Sequence, residues 1–276
     1  MPRALAQGWS WDPAVLLALA ALCAAYYAAV GSRRGRAQPG AAATRRQVAC
    51  FGAGVAVLAL ALITPLDALG RTALFSAHML QLMLLNTLVA PLLLLGLPEG
   101  LARRALRPLG RLARPDEGGT LLLWVAAALI FNGVFLLWHV GRLYEAGLSN
   151  PVLHDLEGLT ILLSGGVRWW PLLTPAEGQT RLANPGQILY ILLESLPLDI
   201  FAVALIFARG PLYATYAHAP RLWGIAPMLD QQIAACVALI PGTFLDFILI
   251  SVIFFAWFQR MERDQQVEDE RLAALR

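Results

Sequence analysis

Gly119-Thr-Leu-Leu-Leu-Trp-Val-Ala-Ala-Ala-Leu-Ile-Phe-Asn-Gly-Val-Phe-Leu-Leu-Trp-His139 runs for 21 residues without one Asp, Glu, Lys or Arg. A helix of that length rises about 30 Å, the thickness of a bilayer's hydrocarbon core. Comparable apolar runs lie on both sides of it, at 14–31, 47–64, 73–96, 154–172, 187–208 and 228–258. The whole chain is 58% hydrophobic and 14% charged, against about half and a quarter for a soluble domain. The sequence therefore predicts an all-α, polytopic membrane protein, a single bundle of seven transmembrane helices over 1–258. A charged tail, 259–276, reads as a short solvated cytoplasmic helix.

The arginines set an orientation. Arg33, Arg34, Arg36, Arg45 and Arg46 fill one loop and Arg103, Arg104, Arg107, Arg111 and Arg114 another, while the loops between carry only Arg71 and Arg142. Arg168 and Arg181 face Arg209 and Arg221 in the third pair, and Arg260, Arg263, Arg271 and Arg276 end the chain. With Arg3, the division is 16 against 5. The positive-inside rule then places the N-terminus outside and the C-terminus in the cytoplasm. The net charge of +3 belongs to these loops, so nucleic acid is not an expected partner; membrane lipid is.

All 21 basic residues are arginine. Without lysine there is neither a retinal Schiff base nor a Walker A phosphate loop. Cys23, Cys50 and Cys236 sit inside apolar runs with no CxxC spacing, as packing residues rather than a disulfide framework. No nucleophile–base pair or cofactor loop argues for an enzyme.

On this topology the four histidines, His78, His139, His154 and His218, share the outer face. Around them stand Met79, Met83, Glu157, Met228 and Asp230. Imidazole, thioether and carboxylate are metal ligands, and thioether favours Cu(I). In Ser76-Ala77-His78-Met79-Leu80-Gln81-Leu82-Met83, helical spacing puts His78, Gln81 and Leu82 on one stripe and Met79, Met83 and Asn86 on the next. His154 and Glu157 are three apart and share a face, with Asn150-Pro151 as cap and helix start. Glu194, Asp199 and Asp246 fall inside spans, where carboxylates form either a proton path or hydrogen bonds between helices.

Several stretches, in order from about 50 to 258, resemble the CtaG family, the seven-span assembly factors of caa3-type cytochrome c oxidase. They are Ala77-His78-Met79-Leu80-Gln81 with Ala90-Pro91 through Gly96-Leu97-Pro98, Trp138-His139 with Leu143-Tyr144-Glu145, and Asn150-Pro151-Val152-Leu153-His154-Asp155-Leu156-Glu157. Trp169-Trp170-Pro171-Leu172 and Asp230-Gln231-Gln232 leading to Pro241-Gly242 complete the set. The resemblance implies a non-enzymatic role in maturing a haem–copper oxidase at the outer face of the bacterial inner membrane, with oxidase subunits as partners and copper as cargo. It marks His78, His139, His154, Glu157 and Asp230 as family positions; Met79 and Met83 join them as candidate metal ligands. Where the family motifs read AHMxQH and HxxEH, this chain has Leu82 and Gly158 in place of the second histidines. Three readings follow: a copper-handling assembly factor, a metal-free scaffold or accessory subunit, and a proton-coupled transporter using Glu194, Asp199 and Asp246.

Overall fold

The exterior of this molecule is leucine and phenylalanine, and its interior holds the charges. Leu17, Leu122, Leu129, Leu163, Phe244 and Phe247 stand exposed, whereas His78, Glu157, Arg168, Glu194, Asp230 and Asp246 are buried. Hydrocarbon requires that distribution and water would reverse it. The computed structural model describes residues 8–31, 43–98, 100–101, 117–173 and 182–275, and every regular element among them is helical.

In chain order the helices are α1 (Pro13–Gly31), α2 (Arg45–Ile63), α3 (Pro65–Thr72), α4 (Phe75–Gly96), α5 (Glu117–Trp138), α6 (Gly141–Ser149), α7 (Pro151–Leu173), α8 (Asn184–Ile206), α9 (Ala214–His218) and α10 (Pro227–Ala274). Six of them, α1, α2, α4, α5, α8 and α10, are long and apolar enough to cross a membrane. The remaining expected span, α7, has 23 residues, about 35 Å of helix. Its composition is too polar because its inward face carries His154, Glu157, Ser164 and Arg168, all buried; Leu156, Leu159 and Leu163 cover its outward face.

α4 is the central helix and packs against α2, α3, α7 and α10. Two glycines permit its closest approaches. A Cβ at Gly96 would lie 2.7–2.8 Å from atoms of Phe51, backbone included, and one at Gly70 would lie 2.9 Å from the Cα of His78. Midway, at Leu84–Val89, α4 widens into a π-helical turn, and the Trp169 indole donates to the Asn86 carbonyl there at 2.8 Å.

Three features differ from the sequence reading. The charged tail is no separate helix: α10 runs unbroken for 48 residues, since nothing between Trp257 and Ala274 is Gly or Pro. Second, the short helices α3, α6 and α9 occupy what read as loops; α3 forms because Thr64 caps it, its Oγ1 accepting from the Leu66 N–H, and Pro65 starts it. Third, Arg168 is no loop charge. It is buried in α7, so the third loop pair keeps Arg181 against Arg209 and Arg221. Of the other counted arginines, Arg3, Arg33, Arg34, Arg36, Arg103, Arg104, Arg107, Arg111, Arg114, Arg181 and Arg276 lie outside the described residues. Cys23 and Cys50 are half-buried and Cys236 is exposed; all three are free thiols.

Candidate metal centre

Two helix starts, each fixed by a cap, aim their first turns at one another. α4 has no cap of its own at Leu74. Asp230, reaching over from α10, supplies one: its carboxylate accepts the Phe75 N–H at 2.6 Å, the Ser76 N–H at 3.2 Å and the Ser76 hydroxyl at 2.5 Å. α7 is capped by Asn150, whose Oδ1 accepts the Val152 N–H at 2.9 Å. His78 and His154 follow within the first turns, with their ring centroids 5.8 Å apart.

Glu157, one turn after His154, closes the group. The donor atoms of His78, His154 and Glu157 all lie within 4.8 Å of one another. His78 Nε2 is 3.3 Å from Glu157 Oε1, and His154 Nδ1 is 3.8 Å from Oε2. One carboxylate thus faces an imidazole at each oxygen. All three residues are buried, with side-chain exposures of 0%, 8% and 2% for His78, His154 and Glu157.

A fourth residue decides which nitrogen of His154 is free. Asp67, on α3, has Oδ1 2.9 Å from His154 Nε2 and accepts a second hydrogen bond from Gln81 Nε2, also at 2.9 Å. Burial pushes the Asp67 carboxyl up, but the hydrogen bonds from His154 and Gln81 and the nearby positive charge together hold it below its ordinary value. An ionised carboxylate only accepts, so Nε2 of His154 carries the proton. In the neutral imidazole Nδ1 is then a bare lone pair, buried, without a hydrogen-bond partner, and turned toward Glu157. Lone pair and carboxylate repel unless a proton or a metal cation lies between them. A histidine that donates its far N–H to a carboxylate and offers its near nitrogen inward has the arrangement of a metal ligand.

The other expected site residues lie elsewhere. His139 is buried, but its Nδ1 is bound to the Phe135 carbonyl at 2.7 Å. Its ring stacks on Phe135 at 4.2 Å and sits beside Tyr144, which also edges His78 at 5.2 Å. Met79 and Met83 belong to the main apolar core. The carboxylate of Asp230 is occupied in capping α4. His218 is exposed, with its Nδ1 on the Ala214 carbonyl. Sequence reasoning missed Asp67. The signal was present in Thr64-Pro65-Leu66-Asp67, a capped helix start with an acid directly after a span, but nothing local pairs it with a histidine 87 positions away.

A second buried cluster lies 14 residues further along α7, about 21 Å away. Arg168 Nε donates to Glu194 Oε1 at 2.6 Å, and its Nη2 to Asp246 Oδ1 at 3.4 Å. The guanidinium also sits 5.0 Å from the ring centroids of Phe131 and Trp169. Two of the three carboxylates read as a proton path are thus tied to one arginine.

The family model for the cytochrome c oxidase caa3 assembly factor matches residues 24–260. The chain belongs to the CtaG family. It is also 26% identical over 217 residues to uncharacterised proteins of Mycobacterium bovis and Mycobacterium tuberculosis, and over 216 residues to one of Mycobacterium leprae. Those alignments cover 73% of this chain and 32% of each relative, so the chain spans about a third of the length of the curated relatives it matches. No solved structure matches.

Measured against the CtaG motifs, the two departures fall at one place. Leu82 and Gly158 both line the cavity that reaches Asp67, His154 and Glu157. A Cβ at Gly158 would meet only Leu85 Cδ1, at 3.8 Å. The space a second α7 histidine would occupy in this CtaG chain is therefore open.

Proposed function

We propose that this protein is an assembly factor for cytochrome c oxidase in the bacterial inner membrane, and that it carries copper at the outer end of a seven-span bundle. The N-terminus lies outside, α7 is the remaining span, and oxidase subunits are the partners. One observation supports the metal reading above the rest: the unpartnered Nδ1 of His154, its tautomer set by Asp67, directed at the carboxylate of Glu157. Two imidazoles and a carboxylate suit Cu(II) and other borderline first-row cations better than Cu(I), which prefers sulfur. His78, His154 and Glu157 would hold the ion, and Asp67 would orient His154.

The test is a competition between the purified protein in detergent and chelators of graded affinity, run separately for Cu(II) and Cu(I). About one ion per chain is expected. His78→Ala and His154→Ala should each weaken retention by more than about 100-fold, a greater cost than losing an outer hydrogen bond to a ligand. Leu82→His with Gly158→His should strengthen it at least tenfold by completing two i, i+4 pairs. If the protein keeps neither oxidation state against a weak chelator, the metal reading fails.

The absent histidines at 82 and 158 favour a second reading, a scaffold that holds oxidase subunits without metal. Co-purification of those subunits, unaltered by His78→Ala and His154→Ala, would select it. The transporter reading has lost two of its three carboxylates to Arg168.

A further inference from the structure

α1 covers the bundle without packing into it. Among its described residues only Tyr26 is buried. At the inner end that ring stacks on Phe51 at 3.7 Å and its hydroxyl donates to the Gly96 carbonyl at 3.0 Å. At the outer end the Ser10 N–H, just before the helix, donates to the Ile63 carbonyl at 2.9 Å. Between these pins α1 spans a cavity of about 670 Å³. Its floor is α4 and α7, through Leu85, Leu93, Leu162 and Gly166; Ala18 and Leu22 of α1 form the roof.

The cavity is apolar along its length and polar at one end only. Asp12, Asp67, Asp155, Glu157, His154 and Arg71 line the outer end. Just inside is Gln81, buried, whose Oε1 has no hydrogen-bond partner among the described residues. A partner's transmembrane helix, about 10 Å across and 30 Å long, fills roughly 2,400 Å³ and does not fit. A single small amphiphile does, since such sites run to about 300–1,000 Å³. Four carboxylates beside one guanidinium complement a head that carries both an ammonium and a phosphate, and repel one that is only anionic.

We propose that this cavity is a binding site for one aminophospholipid, with one acyl chain lying beneath α1, the second in the surrounding bilayer and the head between Arg71 and the three aspartates. The assignment rests on volume, lining and charge; because His154 and Glu157 line the same cavity, the lipid titration is made on metal-free protein, so that its outcome is separate from that of the metal reading.

Protein purified in mild detergent would have its retained phospholipids identified by native mass spectrometry. After delipidation it would be titrated with mixed micelles of phosphatidylethanolamine or phosphatidylglycerol. About one phosphatidylethanolamine per chain is expected, with at least about a tenfold preference over phosphatidylglycerol. Gly166→Trp projects into open space, because a Cβ there has nothing within 4 Å. It should cut retention about tenfold while leaving helical circular dichroism and elution unchanged. Ala18→Trp, from the opposite wall, should do the same and serves if the first variant does not fold. Arg71→Ala should reduce the preference between heads. The proposal is overturned by a protein that retains no phospholipid, by equal or reversed preference between the two heads, or by a filled cavity that retains as much lipid as the open one.

Discussion

Arg168→Leu should lower the unfolding free energy by about 3–5 kcal/mol, the cost of leaving buried carboxylates without their cation. Glu194 and Asp246 come from α8 and α10, and Arg168 from α7, so one guanidinium joins three helices. All three residues are less than 8% exposed, and water cannot take over the solvation that the arginine supplies. The rings of Phe131 and Trp169 each lie 5.0 Å from the same cation and would lose that contact as well. Denaturant unfolding in a fixed detergent, followed by circular dichroism, measures the effect. Replacing all three together, Arg168→Leu with Glu194→Gln and Asp246→Asn, should recover most of the loss because no buried charge is then unpaired. A single variant within about 1 kcal/mol of the parent would show that the carboxylates find other partners or take up protons.

Glu157→Gln should reduce metal retention by ~100-fold or more, and Asp67→Asn by about 10–100-fold, the range for groups that orient a ligand. The two variants fail for different reasons. Glu157→Gln keeps the shape of the side chain but removes the charge that both imidazoles face. At position 67 the amide can donate to Nε2 of His154, which turns the ring into the Nδ1–H tautomer and removes the lone pair that would hold the ion. His78 is untouched in either case, together with His154 in the Glu157 variant and Glu157 in the Asp67 variant, so any remaining affinity reports on the ligands each variant leaves in place. Chelator competition measures both, with helical content as the control. Equal affinity in the parent and Asp67→Asn would refute the orienting role, and unchanged affinity in Glu157→Gln would refute the site.

Much of the architecture is legible because hydrocarbon acts on each segment locally. A run such as 119–139 offers its backbone no partner outside its own helix, so length and apolarity suffice to place it. The caps are equally local: Asn150 two residues before Val152, Thr64 two before Leu66. The spacing of His154 and Glu157 is a helical property and needs no further information.

Where polarity and span coincide, local reasoning fails. Arg168 resembles the arginines that mark cytoplasmic loops, and only its neighbours from α8 and α10 show that it is an interior group. His139 and His154 have similar settings in the sequence, each at the end of an apolar run. One is turned back onto its own helix at Phe135, while the other is held outward by Asp67. Asp230 carries the same functional group as Glu157, yet it spends its oxygens on the first turn of α4.

The sequence by itself thus determined that the chain is a helical membrane protein of the CtaG family, and that His78, His154 and Glu157 stand near helix starts. Tertiary structure alone decided that these three meet, that Asp67 pairs with one of them, that His139 Nδ1 bonds back to its own helix and that Asp230 caps α4. The physical reason is reach. Span formation depends on a segment and its solvent, whereas a ligand group exists only when side chains far apart in sequence bring their donor atoms within a few ångströms.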